Sequence, residues 1–218
     1  MGVDLPGTTT SPGRRERNKQ RVRERLYSSA MTLFAERGYD QTSVGEIAEH
    51  ADVARGTFFN YFQRKEDLIS AWGERRRAAL EESLALAPPT AESDTRSQLD
   101  HCMATLGRIN ESEGGLVIPM LTAWVKAGHP LVEEPYVART FAKIIERGQA
   151  KGEIDAAVDA SRIGFMLRDI YLGTLFRWSQ TAEDDPAFSL GDDLRASLAV
   201  LLTGITTGPH SALPRQDA

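Results

Sequence analysis

Residues 55 to 65 read RGTFFNYFQRK. Arg, Thr and Asn are side chains suited to base edges. A guanidinium grips guanine at two points, a Thr methyl meets the thymine methyl, and an amide pairs with adenine. Placed on a helical wheel, Gly56, Phe59, Asn60 and Gln63 gather on one side, with Thr57 flanking them and Arg55 at the N-terminal edge. Ala54, Phe58, Tyr61 and Phe62 gather on the other. The first face is polar and aromatic, with a glycine where bulk would hold a helix away from its target. Lys65, and the helix starts at Thr42-Ser43 and Lys65, offer charge and free N–H groups to phosphates.

Such a surface needs a frame, and the preceding residues predict one. Val22, Leu26, Ala30, Leu33 and Phe34 recur at three- and four-residue spacing, which predicts a helix from about Arg17 to Arg37. Gly38 follows as a left-handed cap, with Tyr39 packing back on the last turn. Ser43 and Glu46 fit a capping box for a second helix that buries Val44, Ile47, Ala48 and Ala51. After the tight turn Ala51-Asp52-Val53, a third helix is expected over roughly Ala54 to Phe62. Two short helices joined this way form a helix-turn-helix, whose second helix enters the major groove. A fourth helix from near Lys65 carries Leu68, Ile69, Trp72, Leu80 and Leu84 to a stop at Pro88-Pro89.

The charge distribution agrees. The chain has 218 residues and a net charge of −5, yet Arg14 to Lys65 holds eleven basic and seven acidic residues, a local charge of +4 against −9 elsewhere. A basic segment on an acidic body suggests a polyanionic partner for that segment alone. The seven basic residues from Arg14 to Arg25 are placed to follow a DNA backbone or enter a minor groove. A solvated basic face is the alternative. No apolar run reaches a membrane span, no secretory leader opens the chain, and the single Cys102 precludes an internal disulfide framework. These features point to a cytoplasmic protein without membrane contact.

Beyond the loop at about 87–94, further helices are expected near 95–111, 116–127, 133–151, 159–180 and 190–206, and no strand. The fold class is therefore all-α, and no internal repeat is visible. Pro119 should kink the second of these helices or make it begin late. Met103, Leu106, Met120, Leu121, Trp124, Phe141, Phe165 and Met166 are bulky and adaptable. They suit either the wall of an apolar ligand site or ordinary core. Asp169, Arg168 and His101 are candidate polar handles. His101-Cys102 and His129 have no metal-ligand spacing, so neither metal nor cofactor is expected. No catalytic motif appears, so no enzyme is expected. A helical protein-interaction module, with the third helix meeting a protein instead of DNA, is the competing reading.

The stretch LFAERGYDQTSVGEIAEHADVARGTFFNYFQRKEDLI, Leu33 to Ile69, resembles the DNA-binding domain of the TetR family of bacterial repressors. Matching positions include Phe34, Gly38, Tyr39, Thr42, Ser43, Val44, Ile47, Ala48, Ala51, Val53, Gly56, Thr57, Phe58, Phe62, Lys65, Glu66 and Leu68. Asp52 stands where the family has a turn Gly, and Asp tolerates a left-handed backbone. Ala54 replaces a Ser cap, at a cost of about 1 kcal/mol. Phe59 replaces a Tyr, and Arg64 replaces a small polar residue and should add a phosphate contact. The resemblance implies a DNA surface of Thr42, Arg55, Gly56, Thr57, Phe59, Asn60, Tyr61 and Lys65. The terminal stretches themselves read as a disordered lead-in (1–13) and a flexible tail (207–218), and between them a reading domain (14–64) is expected to precede a regulatory and dimerisation domain (65–206). The resemblance further implies a homodimer on a palindromic double-stranded operator, released by a small effector. The dimer would pack the last two helices of each subunit as a bundle, with Gly164 and Gly173 allowing close approach and Leu194, Leu198, Leu201 and Leu202 forming the seam; core within one subunit is the alternative for the same stripes.

Overall fold

The computed structural model describes residues 13–86, 93–132, 134–181 and 188–203. Among them the chain is helical, with no strand. The expected lead-in up to residue 12, the stop at Pro88-Pro89, the last residues of the helix expected to 206 and the tail fall outside the described residues. Two compact units separate, one of residues up to 74 together with 115–132, the other of 75–114 together with 133 onward.

The first unit contains α1 (Arg14–Arg37), α2 (Val44–His50), α3 (Arg55–Phe58), the start of α4 (Asp67–Leu86), α6 (Val117–Lys126) and α7 (His129–Val132). Its core is the apolar stripe of α1 closed by α2 and α3: Leu26, Ala30, Phe34, Ile47 and Phe58 have essentially no exposed surface. Helix α1 ends at Gly38, whose φ of +83° a side chain would strain, and whose N–H donates to the Phe34 carbonyl. The Tyr39 ring then lies 5.0 Å from Phe34. Both halves of the capping box form: the Ser43 hydroxyl accepts from the Glu46 amide, and the Glu46 carboxylate from the Ser43 amide. Asp52 takes φ +51° in the turn. Ala54 supplies no side-chain cap, and α3 is one turn long. The expected helix to Phe62 is thus shorter, continuing as tight turns in which Asn60 and Tyr61 donate to Thr57 and Phe58.

Helix α6 begins two residues before Pro119, after a 3-10 turn at Gly114–Leu116. Proline is tolerated there because the first-turn N–H groups have no helical acceptor. The four-residue α7 was not expected. Lys126 closes an ion pair with Asp40, tying α6 to the segment after α1.

The second unit contains the rest of α4, α5 (Thr95–Glu113), α8 (Tyr136–Ala150), α9 (Ala160–Thr181) and α10 (Leu190–Thr203). Helix α8 packs along α9, and α10 lies on α5 and α9. Gly164 is where α9 meets α8. A Cβ there would stand 3.0 Å from the Ala142 amide nitrogen, and closer still to the Ala138 carbonyl oxygen. Leu194 and Leu198 are buried within the protomer. Gly164, Leu194 and Leu198 are therefore core, not dimer seam.

A buried polar network crosses this unit. Arg76 donates to Glu113 and to the side-chain oxygen of Asn110, and the Asn110 amide nitrogen donates to the Leu106 backbone carbonyl at 2.7 Å and to the Tyr171 hydroxyl at 3.1 Å. Arg76 sits on the apolar stripe of α4, four residues from Trp72 and from Leu80. A charge at that register is the sequence signal of a buried partner, since an unpaired guanidinium there would be very costly. Burial opposes its charge, but Tyr171 and Glu113 outweigh that and hold it protonated.

Candidate functional site

Helix α3 and the turn after it present a polar patch on a greasy base. Phe58 and Phe62 are buried and stack with ring centroids 5.6 Å apart, which fixes the opposite side outward. Arg55, Gly56, Phe59, Asn60, Gln63 and Arg64 are exposed, and Thr57 and Tyr61 half-buried. Phe59 is 48% exposed, with its ring 5.5 Å from that of Phe58. Ala54, expected on the inner side, is exposed, because α3 begins only at Arg55.

Two expected contact residues serve the frame. Thr42 is 1% exposed, and its hydroxyl donates to the Gly38 carbonyl at 2.9 Å. The Lys65 ammonium donates to the carbonyls of Tyr39 (2.8 Å) and Thr42 (3.0 Å) and lies 4.1 Å from the Tyr39 ring centroid. Burial lowers its pKa, partly offset by Asp40 and Glu66. Lys65 pins the segment between α1 and α2 to the start of α4. Arg64, in contrast, projects outward and makes only a 3.8 Å ion pair with Asp67.

Arg25 is a residue the sequence reading assigned to a backbone contact and the structure places elsewhere. Its guanidinium donates to the carbonyls of Ala51 and Asp52. These are carbonyls that the end of α2 leaves without a helical donor, so Arg25 holds the turn that sets the angle of α3. Arg23 lies 5.1 Å from the Phe62 ring. The exposed side chains of Arg14, Arg15, Lys19 and Arg21 run along the first turns of α1.

The ligand-site candidates divide. Met103, Leu106, Met120, Leu121 and Phe141 are buried and Trp124 partly so. Phe165, Met166 and Asp169 are exposed on α9, so they do not wall an interior site within the protomer. The register that buries Gly164 and Leu167 turns these three outward. The second unit has a cavity of about 550 Å3 bounded by α4, α5 and α8. None of the nominated wall residues lines it, though the polar handle His101 does. On α9 and α10 the exposed apolar side chains are Phe165, Met166, Phe176, Val200 and Leu202, with Gly173 open to solvent and Leu201 half-buried. Among the described residues no cluster of metal-ligating side chains occurs, and no helix is long and apolar enough to cross a membrane.

Residues 26–72 match the family profile described as bacterial regulatory proteins, tetR family. The transcriptional regulator TcmR of Streptomyces glaucescens is 36% identical over 118 residues, half the length of each protein. The transcriptional repressor KstR of Mycolicibacterium smegmatis is 28% identical over 172 residues, 77% of this chain and 79% of that one. Among solved structures, the Thermus thermophilus repressor FadR, in complex with lauroyl-CoA, superposes with a TM-score of 0.65 at 28% identity, over 88% of this chain and 98% of that one.

Proposed function

The chain belongs to the TetR family of bacterial regulators, and on that footing we propose that it represses transcription as a homodimer until a small apolar or amphipathic effector releases it from its operator. Residues 14–64 act as the reading domain and 65–206 as the regulatory and dimerisation domain. Its work is binding, not catalysis.

The observation that carries this reading is the outward set Arg55, Gly56, Thr57, Phe59 and Asn60 above the buried pair Phe58 and Phe62. Arg55, Thr57 and Asn60 read bases, while Phe59, Tyr61 and Gly56 set the depth of entry. Ser43 and Arg64 meet phosphate, joined by the basic start of α1. Lys65 and Thr42 hold the frame. The second copy meets the exposed face of α9 and α10, at Phe165, Met166, Gly173, Phe176, Leu201 and Leu202. The effector occupies the cavity bounded by α4, α5 and α8, and favours a dimer whose reading helices no longer match successive major grooves.

Selection from a random duplex pool tests the reading. An inverted repeat should emerge, with half-sites about one helical turn, roughly 34–36 Å, apart or a multiple of it. Thr57→Ala and Asn60→Ala should relax the consensus at particular bases, whereas Arg64→Gln should weaken binding on every sequence. No enrichment, or equal effects from both kinds of change, would overturn the assignment.

A further inference from the structure

The cavity of the second unit has a distinctive chemical layout. Leu80 and Ile144, both essentially buried, and the half-buried Leu84 form an apolar wall. Gln98, His101, Lys143 and Arg147 also line the cavity. Lys143 and Arg147 are one turn apart on α8, so both project from the same side. The Arg147 guanidinium donates to the Gln98 side-chain oxygen at 3.2 Å, which fixes it at the rim. Lys143 has no ion pair among the described residues. The ring nitrogen Nε2 of His101 is buried without a hydrogen-bond partner. Glu81 is the single carboxylate in the lining.

Two cations facing one carboxylate leave an excess of positive charge beside an apolar wall. A buried imidazole nitrogen without a partner is unfavourable unless something else completes it. We propose that this cavity binds an amphiphile with one anionic head group, a carboxylate or a phosphate ester. The apolar body lies on Leu80, Leu84 and Ile144, and head-group oxygens accept from His101, Lys143 and Arg147. The cavity size falls in the roughly 300–1,000 Å3 range of small-molecule sites. An amine of the same shape would meet two like charges, and an alcohol would leave the cations without a counter-charge. The proposal rests on the second unit being the effector domain, and it specifies which effectors that domain accepts.

The test uses the full chain and four twelve-carbon probes, dodecanoate, dodecyl phosphate, dodecanol and dodecylamine, with binding measured by calorimetry and operator release by fluorescence anisotropy. One or both anions should bind at least tenfold more tightly than dodecanol, and dodecylamine should not bind. Which anion wins identifies the head group. Lys143→Gln with Arg147→Gln should weaken anion binding by about tenfold or more, the loss of a charge-assisted hydrogen bond, and so bring the anions down to the affinity of dodecanol. Leu84→Trp should fill the cavity and abolish binding of every probe. Equal binding of dodecanol and the anions, persistence of binding in Leu84→Trp, or no binding of either anion would each overturn the proposal. Anion binding at this cavity without operator release would uphold it and overturn the effector reading instead.

Discussion

Replacing Gly164 with alanine separates two roles that its place on α9 suggests. The added methyl has nowhere to go. It meets backbone on the facing helix, 3.0 Å from the Ala142 nitrogen and nearer to the Ala138 oxygen, and 3.1 Å from the Ala142 methyl. Comfortable carbon contacts are about 3.5–4.0 Å, so α8 and α9 must part by several tenths of an ångström. Overpacking of this kind costs about 1–3 kcal/mol, and rigid backbone on the receiving side favours the upper end. Alanine regains about 0.8–1 kcal/mol of helix propensity. The net loss is then roughly 2 kcal/mol, or about 4–8 °C in Tm for a chain of this size. Gly173, nine residues on, has nothing within 4 Å of its would-be Cβ. There the same substitution gains propensity without any clash inside the protomer, so a fall in Tm or a shift toward monomer in Gly173→Ala would report the contact with the second copy proposed for this face. Far-UV circular dichroism melts at matched protomer concentration, with sedimentation velocity on each variant, make the comparison. If Gly164→Ala melts no lower than the parent but shifts the chain toward monomer, Gly164 belongs to a dimer seam and the α8–α9 packing argument is wrong.

Arg76→Met should lower stability by about 3 kcal/mol or more, because Glu113 and Asn110 lose their partner in a buried site. Adding Glu113→Gln should restore part of the loss in urea titrations, and no restoration would argue against the pair. Lys65→Met should lower the melting temperature of the free protein, since it strips the carbonyls of Tyr39 and Thr42 of a donor. A variant that melts normally and loses only DNA affinity would return Lys65 to the phosphate surface. The Glu46 carboxyl is held below its ordinary value of 4.5 by the hydrogen bonds from Ser43, helped by Arg37. Its contribution to folding is therefore present above that value and fades as pH falls below it. Glu46→Gln should reduce the drop in urea midpoint between about pH 6 and pH 3, and an unchanged drop would show that the capping box is not formed. Arg64→Gln should lower the slope of log affinity against log salt by about 0.9, one phosphate contact, and an unaltered slope would exclude that contact.

Much of the local structure around α3 was legible without coordinates because its determinants are local. A Ser and a Glu three residues apart form the capping box from the helix geometry alone, and both bonds are present. The alternation that buries Phe58 and Phe62 also turns Asn60 outward. Asp52 needed no long-range information to accept a positive φ. Chain-local reasoning failed where a side chain has a distant partner. Lys65, expected at a phosphate, has its ammonium on carbonyls more than twenty residues earlier, contacts that spacing along the chain does not reveal. Arg25 was one of a basic run until it reached the turn at Ala51 and Asp52.

The sequence by itself determined the helical class, the places where most helices begin and end, the polar edge of α3 and the concentration of positive charge before it. Those follow from periodicity, capping chemistry and composition, which act over a few residues. The tertiary structure decided which side of each C-terminal helix is inside. Every amphipathic stripe satisfies its own helix equally well against a neighbour in the same chain, a second copy or a ligand. Only the packing of α8 on α9 and of α10 on α5 assigned Gly164, Leu194 and Leu198 to the core and left Phe165 and Met166 exposed. The same packing brought His101, Lys143 and Arg147 from two helices to one cavity, a meeting that no spacing along the chain encodes.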